Sequence, residues 1–138
     1  MLFADALEAL IEWQVASRPE VLPDYDDDTL RREMALFPEW YLQRHLGVTL
    51  DATESRVLDQ AFDTIIEQVR GQPRVFVHRD YMPRNLMVCQ RNPGVIDFQD
   101  ARFGPYSYDL ISLFKDAFIS WPQAVSYTHL TLPTKRIV

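Results

Sequence analysis

The sequence predicts a mostly helical α+β domain in which a small β-hairpin carries the chemically active residues. Three observations lead there. Several stretches repeat apolar residues at helical spacing, the period then switches to short β runs between residues 75 and 96, and turn-forming residues separate the last two runs. A chain of 138 residues with 47% apolar and 12% aromatic content can fill one modest core.

The first helix is expected over residues 1–15, where Leu2, Phe3, Ala6, Leu7, Leu10 and Ile11 share a face opposite Asp5, Glu8 and Glu12. Residues 18–23 read as loop. The acidic run Asp24, Asp26, Asp27 and Asp28 reads as a solvated helix start, with Asp28 or Thr29 as cap, because carboxylates favour the positive end of a helix dipole. A calcium loop would need a glycine and a distal glutamate that this run lacks. A helix should then run from Leu30 towards Leu46, restarted or kinked at Pro38 and ended by Gly47 in a left-handed cap.

Residues 51–70 give the clearest helical pattern, capped by Asp51 or Thr53 and stopped at Gly71. Its stripe of Val57, Leu58, Ala61, Phe62, Ile65, Ile66 and Val69 reads as core. Val75-Phe76-Val77 is a short β run. Residues 86–89 and 95–96 should pair as a hairpin across Gln90-Arg91-Asn92-Pro93-Gly94. After Gly104-Pro105 the chain turns helical again, with Leu110, Ile111, Leu113, Phe114, Ala117 and Phe118 on a broad apolar face. Residues 125–138 follow no period, resemble translated adapter sequence, and are read as a non-native tail.

Bulk properties exclude some classes. A net charge of -6 disfavours nucleic-acid binding. No stretch reaches the roughly 20 apolar residues that span a bilayer, and the first dozen residues lack the basic start of a signal peptide. The single cysteine, Cys89, excludes an internal disulfide framework and reads as a buried strand thiol; a reducing, cytoplasmic setting is expected.

The titratable residues gather in His78-Arg79-Asp80-Tyr81-Met82-Pro83-Arg84-Asn85 and in Ile96-Asp97-Phe98-Gln99-Asp100. Asp80 leaves a β run, Asn85 closes the loop before the hairpin, and Asp97 ends the returning strand, so hairpin pairing lets Asn85 and Asp97 converge near Asp80. Magnesium takes hard oxygen ligands and commonly only one or two from protein, which an Asn carbonyl and an Asp carboxylate supply. A further Asp outside that shell can accept the proton of an attacking hydroxyl. Such a set suits phosphoryl transfer, where catalysis is mostly positioning and charge neutralisation.

His78 to Asn85 matches the pattern H-R-D-x-x-x-x-N, and Asp97-Phe98-Gln99 stands where D-F-G stands in kinases. The short return to Gly104-Pro105-Tyr106-Ser107-Tyr108-Asp109, with no A-P-E segment, resembles the aminoglycoside phosphotransferase and choline kinase group rather than protein kinases. Within that group the strings around Asp80, Asn85 and Asp97, with Phe37-Pro38-Glu39-Trp40-Tyr41, are similar to kinases of the anomeric hydroxyl of N-acetylmuramate and N-acetylglucosamine.

The resemblance implies that residues 1–124 form the C-terminal, catalytic lobe of a kinase-like fold. It implies Asp80 as catalytic base, Asn85 and Asp97 as magnesium ligands, and ATP as phosphoryl donor. It further implies Arg84 as a phosphate contact, His78 and Asp109 as supports of the loop, and Glu39, Trp40 and Asp100 as contacts to a sugar. Bland readings stand beside several of these: Asp100 can pair with Arg102 or Arg79, Glu39 can be helix surface, and Trp40 can be core. Departures are Met82, where such kinases often carry Lys or His, and Gln99 in place of Gly, which implies a fixed segment. With four glycines and no glycine-rich phosphate loop or strand Lys, the chain is expected to lack the N-terminal ATP lobe and to be inactive alone. Two alternatives stay open: a non-catalytic fragment or pseudoenzyme, and a metal-dependent phosphohydrolase using His78, Asp80 and Asp97.

Overall fold

The computed structural model describes residues 2–115. Within them the chain is mostly helical with two small antiparallel sheets, and it divides into two compact units: residues 2–23 with 74–115, and Asp24–Pro73. No helix of the described residues is long and apolar enough to cross a membrane. The expected tail at 125–138 and the helical positions Ala117 and Phe118 lie outside the described residues.

The first unit opens with helix α1 (Leu2–Val15), whose periodic face buries Ala6 and Leu10. Strand β1 (Arg74–Val77) pairs antiparallel with β4 (Arg102–Pro105), register Arg74↔Pro105 to Val77↔Arg102. Strand β2 (Leu86–Met87) pairs with β3 (Gly94–Val95) as the expected hairpin, shortened to two residues a side. Helix α4 (Ser107–Phe114) buries Asp109, Leu113 and Phe114. The core joins Ala6 and Leu10 of α1, Tyr81 of the connecting loop, and Leu113 and Phe114 of α4, with Phe3, Leu86 and Val95 packed against them. Phe3 stacks on Phe114 with ring centroids 5.8 Å apart, adding an aromatic pair to the buried area.

Two expectations for this unit are corrected. Strand β4 was not anticipated, because Gly104-Pro105 reads as turn chemistry; Pro105 is tolerated as the last residue of a strand in a two-stranded sheet, where a missing donor costs least. Cys89 is exposed, since the strand ends at Met87 and the thiol lies in the hairpin loop, donating to the Arg91 carbonyl at 2.8 Å.

The second unit starts with α2 (Asp27–Met34). Its cap is Asp26, which accepts from the Thr29 amide at 2.9 Å, so neither Asp28 nor Thr29 caps it; the four neighbouring acids offered several equivalent starts. The helical run restarts next to Pro38 as expected, but as a wider π-helix, Phe37–His45, with Pro38 in its first turn. Gly47 adopts φ +68, and the Val48 amide reaches back to the Leu42 carbonyl at 2.9 Å, the left-handed ending read from the sequence.

Helix α3 (Ala52–Arg70) begins in a capping box. Asp51 accepts from the amides of Thr53 and Glu54, and the Glu54 side chain accepts from the Asp51 amide. Ion pairs Arg31–Asp63 and Arg70–Asp27 tie α2 to α3. The apolar stripe of α3 is only half covered: Phe62 and Ile66 are buried, whereas Val57 and Ile65 are 61% and 50% exposed. A helical period shows that one arc is apolar; it does not show which part of that arc finds a neighbour.

Candidate active site

The site lies in the first unit, on the loop from β1 to β2 and the segment after β3. Strand β1 delivers His78 into the interior with no exposed surface. Its ring makes two contacts that fix its tautomer. Nδ1 accepts from the Asp80 amide at 3.3 Å, so Nε2 carries the proton and donates to the Ile96 carbonyl at 3.0 Å. Burial pushes the His78 pKa below its ordinary value, although the Ile96 carbonyl and the nearby charges of Asp80 and Asp97 pull it back up. A neutral ring held at both nitrogens is a strut between loop and hairpin, with no nitrogen left for a metal.

Asp109, on α4 and fully buried, is the second strut. Its Oδ2 accepts from the His78 amide at 2.7 Å and its Oδ1 from the Arg79 amide at 3.0 Å. Burial raises its pKa to about 6; the two amide bonds act in the opposite direction and Asp80 adds to the rise. Arg79 adopts φ +78, a region unfavourable for a side chain of its size by on the order of 1–3 kcal/mol. Two consecutive amides converging on one carboxylate hold it there. The Arg79 guanidinium also reaches the Asp100 carbonyl, at 3.5 Å.

Asp80 follows, half-buried. Tyr81 turns inward and donates its hydroxyl to the Ala6 carbonyl at 2.7 Å, anchoring the loop to α1. Burial raises the Tyr81 pKa, so the hydroxyl keeps its proton and stays a donor. A single 3₁₀ turn, Pro83–Asn85, brings the chain into β2. Asn85 is buried and donates Nδ2–H to the Asp80 carbonyl at 2.9 Å, which leaves its Oδ1 as the available oxygen. Its own carbonyl accepts from the Ile96 amide at 3.1 Å. The next residue, Asp97, is exposed, takes φ +69, and accepts from Gln99 Nε2 at 2.7 Å.

Asn85 is thus bonded to Asp80 through its side chain and to Ile96, the residue before Asp97, through its main chain. Among the described residues no group of three or more His, Cys, Asp or Glu stands ready to hold a metal ion. The donor set around the loop is instead one amide oxygen and one carboxylate, which fits a hard cation that draws its other ligands from phosphate and water. An apolar recess of about 230 Å³ opens beside the loop, lined by residues including Phe3, Ala6, Pro83, Leu86 and Met87.

The other sequence-derived candidates are placed as follows. Arg84 is exposed on the 3₁₀ turn, and Asp100 is exposed in the turn that the Ala101 amide closes on the Phe98 carbonyl. Glu39 and Trp40 belong to the second unit, on the π-helix; Trp40 is 53% exposed, not core, and carries the Arg44 guanidinium over its ring at 3.9 Å, while Glu39 pairs with Arg44 at 3.2 Å. Tyr81 and Gln99 were missed as parts of the site. The Tyr81 contact spans 75 residues of sequence and has no local signal. Gln99 was noticed as a departure, but its bond to Asp97 depends on a backbone turn that spacing does not reveal.

The chain belongs to the phosphotransferase enzyme family, whose model matches residues 1–130. Among individual proteins it is similar to the N-acetylmuramate/N-acetylglucosamine kinases of Pseudomonas putida (54% identical over 123 residues, 89% of this chain) and Pseudomonas aeruginosa (55% over 122 residues, 88%). That of Neisseria meningitidis serogroup B is 48% identical over 122 residues. The matches cover 36% of the length of each of these relatives.

Proposed function

We propose that this chain is the catalytic lobe of an ATP-dependent kinase that phosphorylates a hydroxyl of an amino sugar of the N-acetylmuramate or N-acetylglucosamine type. The observation that carries the reading is the bonding of Asn85, by side chain to Asp80 and by main chain to the residue before Asp97. The names of the relatives support the sugar class, and their greater length leaves room for a separate ATP-binding lobe.

In this reading Asp80 accepts the proton of the attacking sugar hydroxyl as that oxygen bonds to the γ-phosphorus and the bond to the ADP oxygen breaks. Asn85 Oδ1 and Asp97 would hold magnesium, which when bound neutralises charge on the phosphate oxygens. Arg84 would face the transferred group, and the apolar recess beside Leu86 would take the purine. His78 and Asp109 hold the loop in shape. Glu39, Trp40 and Asp100 as sugar contacts rest on the family resemblance alone.

The test uses a polypeptide extended to the length of the relatives. With ATP, magnesium and N-acetylglucosamine or N-acetylmuramate, ADP release should accompany formation of a sugar phosphate seen by phosphorus NMR. Asp80→Asn should lower kcat by at least about a hundredfold with sugar KM little changed. Full activity in that variant would remove Asp80 as base; no sugar phosphate from either sugar in the parent would remove the proposed substrate class.

A further inference from the structure

Two residues beyond Asp97, Gln99 turns back and gives an N–H to Asp97 Oδ1 at 2.7 Å. The turn from Phe98 to Ala101 already has its own backbone bond, 3.1 Å long, so the side-chain bond is not needed to close it. What that bond fixes is the carboxylate. Asp97 is exposed, and an exposed carboxylate with no second contact samples several rotamers. Asn85 is treated the same way: its Nδ2 is committed to the Asp80 carbonyl, leaving one oxygen. In both residues a neighbour occupies one polar atom and leaves the other for a ligand.

We propose that Gln99 is a positioning residue for a divalent cation: it occupies Oδ1 of Asp97 and leaves Oδ2 as a single-oxygen ligand, as the Asp80 carbonyl leaves Asn85 its Oδ1. This rests on reading Asn85 and Asp97 as the cation ligands. Gln99 is neutral and donates, so it orients the carboxylate without competing for the cation. Groups that hold a metal ligand in place this way commonly affect affinity by tenfold or more when removed.

The experiment titrates Mn²⁺ into the 138-residue chain and follows paramagnetic broadening of the Asn85 side-chain amide and the Asp97 main-chain amide by NMR. In the parent chain these two signals should broaden first. Gln99→Leu, similar in size but without the donor, should need about tenfold more Mn²⁺ at an unchanged urea midpoint. Gln99→Asn, which keeps an amide on a shorter arm, should recover part of that loss. If Gln99→Leu matches the parent, the positioning role is overturned while the cation reading stands. If affinity falls only in step with a falling urea midpoint, Gln99 is merely structural and the proposal also fails. If the parent shows no selective broadening at Asn85 and Asp97, the cation reading itself falls and takes this inference with it.

Discussion

The carboxylate of Asp109 accepts the main-chain amide of His78 at 2.7 Å across 31 residues of sequence, and the same carboxylate takes the next amide as well. One buried side chain thereby sets the direction in which the loop leaves β1. Asp109→Asn keeps the shape but turns one acceptor into a donor facing an amide. It should lower stability by about 2 kcal/mol, measured as a shift in the urea midpoint at pH 7.

Acid should separate the two struts. Asp109 has its pKa raised from 3.8 to about 6, so the folded state binds a proton that the unfolded state lacks between those values. Its contribution is full below about pH 4 and is lost as pH rises through 6. The stability gap between the parent and Asp109→Asn should therefore widen by on the order of 2–3 kcal/mol from pH 7 to pH 4. His78 acts oppositely: its pKa is lowered, so its share of stability is lost as pH falls below its ordinary 6.5. A pH series on the parent alone would mix the two; the difference from the Asn variant isolates Asp109.

His78→Ala removes a buried ring and two contacts together. The expected cost is about 2–4 kcal/mol. Its signature is local: the Asp80 amide loses its acceptor, so its hydrogen exchange should speed up relative to amides of α1 by more than the global destabilisation explains.

Tyr81→Phe removes only the hydroxyl bond to the Ala6 carbonyl, which keeps its partner within α1. A loss of about 1 kcal/mol is expected, since the ring stays in the core. In the second unit Asp51→Ala opens the capping box of α3 and should cost about 1 kcal/mol, visible as fraying at Thr53 and Glu54 in hydrogen exchange.

These residues also show what the sequence could and could not reveal. The spacing from His78 to Asn85 and on to Asp97 was legible because a loop and a tight hairpin are local: few residues separate the groups, and turn chemistry sets the register. The ends of α3 were legible for the same reason, through Asp51 and Gly71. The pairing of β1 with β4 was not, because Gly104 and Pro105 argue locally for a turn and the pairing is settled by distant partners. The start of α2 was ambiguous among adjacent acids that all favour a helix terminus. Val57 was read as core from its place in a helical stripe, and Trp40 as core by default beside its reading as a sugar contact; burial is decided by what packs against a residue, not by its own preference.

On α3, Val57, Ala61 and Ile65 point hydrocarbon into water one turn apart. Ions such as sulfate, excluded from protein surfaces, strengthen the drive to hide such a row, and the quickest cover is another molecule of the same chain. The net charge of -6 resists that approach in dilute buffer, and its reach shrinks to about 10 Å at 0.1 M salt. Solubility should consequently be greatest at low ionic strength, and the chain should precipitate early as ammonium sulfate rises.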